Sequence, residues 1–198
     1  MNCRSPIMIQ FIEGSLFSTN EGYSLAHCIS MDTKRGMFRG IAVDFLEFFP
    51  ELQQLRLFSV PRTGLAIPIR IGNRFIYNLV TKSCYWDKPK VCDLQFSLES
   101  MLVHAIENKV SNIAIPLLGS GCDKLDFVRQ VMPLIDHVFG TSPVSVHIYY
   151  LKKDSVMIKR RYNICTYYYM DVLKVIWCAE TITIHWEELL GSSATVIF

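Results

Sequence analysis

The sequence lacks a long hydrophobic run, an excess of charge of either sign, and a cysteine pattern. A helix that crosses a bilayer needs about 20 mostly apolar residues. The most apolar late stretch, 162–186, is interrupted by Asp171, Lys174 and Glu180. The apolar stretch at 6–12 is closed by Glu13, is short for a signal-peptide core, and leads to no small-residue cleavage site. No membrane partner is expected. Twenty Lys and Arg against 18 Asp and Glu leave a net charge of +2, which gives no global electrostatic case for nucleic acid. The seven cysteines are odd in number and scattered, with no Cys-x-x-Cys pair and no Cys/His spacing that reads as zinc. Reduced, partly buried thiols in a nuclear or cytoplasmic protein are expected, with no metal and no cofactor. Charged residues are only 19% of the chain and apolar ones 51%, which excludes an intrinsically disordered chain. Ten glycines and eight prolines without a repeat exclude collagen-like and low-complexity classes.

What remains is enough chain for one domain, or one domain with an extension, in 198 residues. Up to residue 151 the hydrophobic period alternates between strand and helix, the pattern of an α/β fold. Strands are expected at 8–12, 23–29, 66–71, 75–80, 112–118 and 144–151, with Gly72-Asn73 as a hairpin turn. A helix begins at Gly40-Ile41-Ala42-Val43 and is interrupted by Pro50, after which 51–58 is a second helical piece. The clearest helix spans 93–109. Leu94, Leu98, Met101, Leu102, Ala105 and Ile106 form its stripe, and Asp93 suits its N-cap. Another helix spans 125–139, where Pro133 calls for a kink or a late start. The last part, 152–198, opens on Lys152, Lys153, Lys159, Arg160 and Arg161 and continues with Tyr162, Tyr167, Tyr168, Tyr169, Trp177 and Trp186. Six basic against five acidic residues keep its net charge at +1. The segment 181–186 alternates like a strand. Forty-seven residues are too few to hold a core alone, so this part reads as an appendage.

Three places can carry chemistry. Gly119-Ser120-Gly121-Cys122-Asp123 follows a buried strand and precedes a helix. It is either a plain connecting turn or a loop whose backbone N–H groups, with a helix N-terminus behind, hold an anion. Ser24-Leu25-Ala26-His27-Cys28-Ile29-Ser30 leads towards Gly40, which would set two loops side by side at the rim where open α/β sheets bind ligands. His27 on this apolar strand reads as a packed, hydrogen-bonded side chain rather than a catalytic one. Lys82 follows the strand 75–80. It is either a solvated strand end or a nucleophile, and the second role requires an unprotonated amine. Asp123 is either a helix N-cap or a carboxylate able to give and take a proton.

Five blocks occur in order: Ser15-Leu16-Phe17; Ser24 to Ser30 as quoted; Gly40-Ile41-Ala42-Val43; Ile76-Tyr77-Asn78-Leu79-Val80-Thr81-Lys82; and Gly119-Ser120-Gly121-Cys122-Asp123-Lys124-Leu125. Lys88-Pro89 and Leu94-Gln95-x-Ser97-Leu98-Glu99 fit between the last two. With these, residues 7–151 resemble a macrodomain of the terminal ADP-ribose protein glycohydrolase, or O-acetyl-ADP-ribose deacetylase, type. The resemblance implies a three-layer α/β/α sandwich on a mixed sheet, with residues 1–151 as the macrodomain and 152–198 as a C-terminal extension. It implies a monomeric hydrolase, active on ADP-ribose attached to acidic side chains of modified proteins and on O-acetyl-ADP-ribose. By position, Lys82 is the nucleophile that forms a covalent lysyl–ADP-ribose intermediate, and Asp123 is the acid/base that releases it. Leu16, Ser30, Gly40, Ile41, Ala42, Leu117, Leu118, Gly119, Ser120, Gly121, Cys122 and Leu151 would line the ligand.

Four departures from the family pattern bear on this expectation. Ser15 stands where the family has an aspartate expected at the adenine amino group. Met37-Phe38-Arg39 lengthens the approach to Gly40, which brings Arg39 within reach of a diphosphate. Leu117 replaces an arginine, and Ser83 replaces a second lysine, both removing positive charge near Lys82 and the phosphates. A non-catalytic ADP-ribose reader, or a hydrolase of ADP-ribosylated nucleic acid, are the alternatives. For the second, the basic and aromatic residues after Leu151 would be the contact surface.

Overall fold

A computed structural model of the chain describes residues 9–35, 39–57 and 59–154. Six strands form one sheet: β1 (Ile9–Glu13), β2 (Ser24–Ser30), β3 (Leu65–Ile71), β4 (Arg74–Lys82), β5 (Asn112–Ile115) and β6 (Ser145–Tyr150). Their spatial order is β1-β6-β5-β2-β4-β3. Every neighbouring pair is parallel except β3 with β4. The antiparallel pair is the hairpin that Gly72-Asn73 closes. Pro68 has no N–H to give to a ladder, and it sits on β3, the edge strand, where that is tolerated.

Both faces of the sheet are covered, so its strands alternate between two cores rather than between core and water. On β4, Tyr77 and Leu79 enter one core, while Ile76 and Val80 enter the other. On β2, Ala26 and Cys28 face the first core, and Leu25 and Ile29 the second. The first core is closed by α2 (Val91–Glu107) and α3 (Met132–Phe139). The second is closed by α1 (Ile41–Phe48) and the 3-10 segment Pro50–Leu57 through Phe45, Leu52 and Leu55. This is the expected α/β/α sandwich on a mixed sheet.

Local differences from the sequence reading have physical causes. Helix α2 starts two residues earlier than expected, with extended Lys90 as its N-cap. Asp93 is therefore not the cap but the third helical residue, where its charge still favours the helix dipole. Leu94, Leu98, Met101 and Ala105 are buried, each of the larger three contributing about 1.5–3 kcal/mol. Ile106 lies outside the buried stripe, and Ser97 takes a buried place, its hydroxyl donating to the Val80 carbonyl at 3.2 Å. Strand β5 stops at Ile115 because Pro116 cannot continue the ladder. The helix expected at 125–139 is split into a π-helical turn, Phe127–Val131, and α3, with Pro133 in the first turn of α3. Met8, Met37 and Phe38, and all of the extension after Asp154, including the expected strand at 181–186, lie outside the described residues.

Candidate functional site

The five parallel strands end at one rim, in the order Glu13, Tyr150, Ile115, Ser30 and Lys82. Four inter-strand steps separate β1 from β4, about 19 Å at the usual strand spacing. Along this rim runs a cavity of about 880 Å³. All fourteen residues expected at the site line it: Lys82, Asp123, Leu16, Ser30, Gly40, Ile41, Ala42, Leu117, Leu118, Gly119, Ser120, Gly121, Cys122 and Leu151.

At one end lie Lys82 and Asp123. Lys82 closes β4, and Asp123 comes from the loop after β5, yet Lys82 Nζ is 2.5 Å from Asp123 Oδ1. Each side chain is only 12% exposed. Low local dielectric strengthens such a pair, and its short contact gives a ready path for a proton between amine and carboxylate. Asp123 is not a helix cap. That place belongs to Asp126, whose carboxylate accepts from the Arg129 N–H at 3.3 Å. The helix behind the loop is thus capped from within, and the loop's own N–H groups are what a ligand would meet.

The loop is held by its own bonds. Leu125 N–H donates to Gly119 O at 2.9 Å, and Ser120 Oγ donates to Leu117 O at 2.7 Å. Among the described residues, no protein acceptor takes the N–H groups of Gly121, Cys122 and Asp123. Gly119 has φ +68°, and a Cβ there would come 2.6 Å from Leu125 Cδ1. Opposite, Gly40 opens α1 with φ +63° and ψ −157°, a region that only glycine enters at low cost. No side chain caps α1, and its first residues, Ile41 and Ala42, line the cavity beside the loop, where a helix start leaves backbone N–H groups to be met. Two sets of backbone donors therefore converge on the middle of the rim, an arrangement suited to phosphate. Arg39, also in the lining, adds a cation.

Two neighbours of the site are chemically quiet. Cys28 is in the cavity lining, but burial, reinforced by the Asp123 charge, pushes its thiol up to about 12. It is not a thiolate nucleophile at neutral pH. His27 is fully buried off the cavity, stacked on Phe45 with centroids 4.0 Å apart. Its Nε2 lies 2.8 Å from Asn78 Oδ1, and Asn78 Nδ2 donates to the Ile67 and Ile76 carbonyls. That fixes Asn78 Oδ1 as acceptor and Nε2 as the protonated nitrogen. Burial lowers the His27 pKa to about 4, so it is a neutral packed histidine, as expected.

Sequence reasoning missed several lining residues. At the end away from Lys82, Phe17 and Phe48 stack face to face, with centroids 4.2 Å apart and planes 5° apart. Ser15 is there too, its hydroxyl accepting from Phe17 N–H at 3.3 Å. Asp154 also lines the cavity. Beside Lys82, Tyr85 and Trp86 form the tip of a turn closed by Asp87 N–H on Cys84 O at 3.0 Å. Two adjacent aromatics in a polar loop just after Lys82 were a readable signal; the Phe17–Phe48 stack, built across the fold, was not. Among the described residues, no group of three or more His, Cys, Asp or Glu side chains could hold a metal, and no helix is long and apolar enough to cross a membrane.

No family profile matches the chain. It is 36% identical over 143 residues to the ADP-ribose glycohydrolase OARD1 of Homo sapiens, covering 72% of this chain and 91% of that protein. The structure is similar to the macrodomain of Thermus aquaticus DarG, with a TM-score of 0.64 and 22% identity, over 72% of this chain and 98% of that one. It is also similar to a Trypanosoma brucei macrodomain in complex with ADP-ribose, with a TM-score of 0.59 and 12% identity, over 80% and 68% of the two chains. Two layers of helix on a six-stranded mixed sheet, and this identity over nearly the whole of a relative, lead to one conclusion: the chain belongs to the macrodomain family, as a relative of the ADP-ribose glycohydrolase OARD1.

Proposed function

We propose that the chain binds ADP-ribose along the rim crevice and hydrolyses mono-ADP-ribose from acidic side chains of modified proteins, and acetate from O-acetyl-ADP-ribose. The observation that carries the reading is the Lys82–Asp123 pair at one end of a long crevice whose middle is lined with backbone donors. The relative's name, ADP-ribose glycohydrolase, and the ADP-ribose held by the trypanosomal macrodomain support it. The diphosphate lies between the Gly119–Cys122 loop and the start of α1. The distal ribose then reaches Lys82, and the base reaches Phe17 and Phe48.

The reaction has two steps. Asp123 takes a proton from the Lys82 ammonium, and the freed amine attacks the anomeric carbon of the distal ribose. The bond from that carbon to the ester oxygen breaks, and the acyl group leaves as a carboxylate with the bonding pair. A carbon–nitrogen bond now joins Lys82 to ADP-ribose. In the second step water adds at the same carbon and releases one proton to solvent, the Lys82 nitrogen leaves with the bonding pair, and Asp123 returns its proton to the freed amine, giving ADP-ribose and the Lys82 ammonium. With an acetyl group on the anomeric oxygen, the same steps release acetate. The thiol of Cys28 stays protonated and takes no part.

A reader that only binds ADP-ribose has no use for an ion pair held at the crevice end, so the hydrolase is the reading favoured. Residues 1–151 form the unit proposed for this work, with 152–198 as its extension. Free cysteines at positions 28, 84, 92 and 122 suit a nuclear or cytoplasmic setting. The test uses a protein carrying mono-ADP-ribose on glutamate. Wild type releases ADP-ribose, and Lys82→Ala releases none while still binding free ADP-ribose by calorimetry. Release by Lys82→Ala at the wild-type rate overturns the reading.

A further inference from the structure

The proposed substrate includes a part that the crevice does not enclose, the polypeptide that carries the ester. Strand β4, which Lys82 closes, is the last parallel strand of the rim, and only the antiparallel edge strand β3 lies beyond it. With ADP-ribose laid along the crevice as proposed, the polypeptide joined to the anomeric carbon leaves at this end. The segment after Lys82 is placed to meet it. Tyr85 is three residues from Lys82, at most about 11 Å away by chain length. Tyr85, Trp86, Asp87 and Lys88 all line the cavity with Lys82.

The turn holds two rings outward. Asp87 N–H donates to Cys84 O at 3.0 Å, and Cys84 N–H donates to Asp87 Oδ2 at 2.9 Å. From the chain just past β2, Asp32 Oδ2 accepts a longer bond from Tyr85 N–H, 3.5 Å. The rings of Tyr85 and Trp86 meet edge to face, with centroids 4.7 Å apart and planes at 80°. Yet Tyr85 is 42% and Trp86 58% exposed, and neither joins either core. Aromatic surface left in water on folding is a source of binding free energy for whatever covers it. The turn is already bonded and the rings already rest on each other, so little further ordering opposes that contact.

The charges at the turn select the occupant. The carboxylates of Asp32 and Asp87 both bond to it, and Lys88 is the one cation within 83–88. A sugar-phosphate chain would approach two negative charges here, and such chains are bound chiefly through cations. Peptide planes and side-chain stems lie on aromatic faces without one. We infer that Tyr85 and Trp86 form an acceptor subsite for the polypeptide flanking the modified glutamate, and so favour protein substrates over small acyl esters of ADP-ribose. This rests on the hydrolase reading and deepens it. O-acetyl-ADP-ribose shares the ribose that Lys82 attacks, but its acyl group ends in a methyl and lacks the chain that would cover the rings.

The experiment measures kcat and KM of the full chain on a peptide mono-ADP-ribosylated on glutamate and on O-acetyl-ADP-ribose. In Tyr85→Ala/Trp86→Ala, the ratio of kcat/KM for the peptide to that for the acetyl ester should fall about tenfold, the scale of lost aromatic contacts. The fall should come through a higher KM for the peptide, and Tyr85→Phe/Trp86→Phe should keep most of the wild-type ratio. An unchanged ratio in the alanine variant, whether both rates fall together or neither does, overturns the subsite while the hydrolase reading stands. So does a wild type that prefers an ADP-ribosylated oligonucleotide to the peptide and loses that preference in the alanine variant. No turnover of either ester by wild type overturns the hydrolase reading and the subsite together.

Discussion

Lys82 Nζ and Asp123 Oδ1 are 2.5 Å apart, although 41 residues separate them and β2 lies between the strands that deliver them. The pair is therefore a product of the sheet order β5-β2-β4, not of local sequence. Removing one partner leaves the other as a charge that is only 12% exposed. Lys82→Ala and Asp123→Ala should each lower stability by about 1–3 kcal/mol. The double variant Lys82→Ala/Asp123→Ala should lose less than the two single losses together, because no lone charge remains. A double-mutant cycle of urea midpoints checks this, and strictly additive losses would contradict it.

Stability should also follow His27. Burial lowers its folded pKa to about 4, below the unfolded value near 6.5. Between those values the unfolded chain binds the proton and the folded one does not. Stability is therefore complete above about pH 6.5 and falls as the pH drops towards 4, by up to about 3 kcal/mol for this group. His147, lowered by burial as well, acts in the same direction. Urea midpoints at pH 7 and pH 5 measure the slope, and His27→Gln should flatten it. An equal slope in the variant would remove His27 from the account.

The two glycines of the loop should behave differently. Gly119→Ala meets a positive φ and a 2.6 Å approach to Leu125 Cδ1, and should cost about 1–3 kcal/mol. A Cβ on Gly121 meets nothing within 4 Å, so Gly121→Ala should leave the melting temperature nearly unchanged. Equal melting shifts for the two would show that the loop is not held as described.

Cysteine labelling should report the crevice directly. Cys122 is exposed in its lining, whereas the half-buried Cys28 thiol is pushed up to about 12. At pH 8, iodoacetamide should modify Cys122 and spare Cys28, and ADP-ribose should protect Cys122. Peptide mass spectrometry gives the site. Modification of Cys122 at the same rate with saturating ADP-ribose would contradict the placement of the ligand.

The strands and the site blocks were legible because their signals are local. Alternation at 75–80, the Gly72-Asn73 turn and the glycine loop at 119–121 each depend on a few adjacent residues. Element ends were less so: Asp93 resembles a cap by type, but the chain enters α2 through extended Lys90. Pro133 announced the late start of α3, though not the π turn before it. Asp123 and Asp126 are equally good caps by type, and only the bond to Arg129 N–H separates them. The aromatic stack stayed hidden because Phe17 and Phe48 come from two elements that only the fold brings together.

The central claim is that Lys82 becomes covalently bound to the distal ribose. A lysine–ribose adduct opens to an imine, which cyanoborohydride reduces to a stable amine. Wild type turning over a protein mono-ADP-ribosylated on glutamate, with cyanoborohydride present, should lose activity and carry one reduced ADP-ribosyl group on Lys82 by peptide mass spectrometry. Release of ADP-ribose at full rate with Lys82 unmodified would contradict the account.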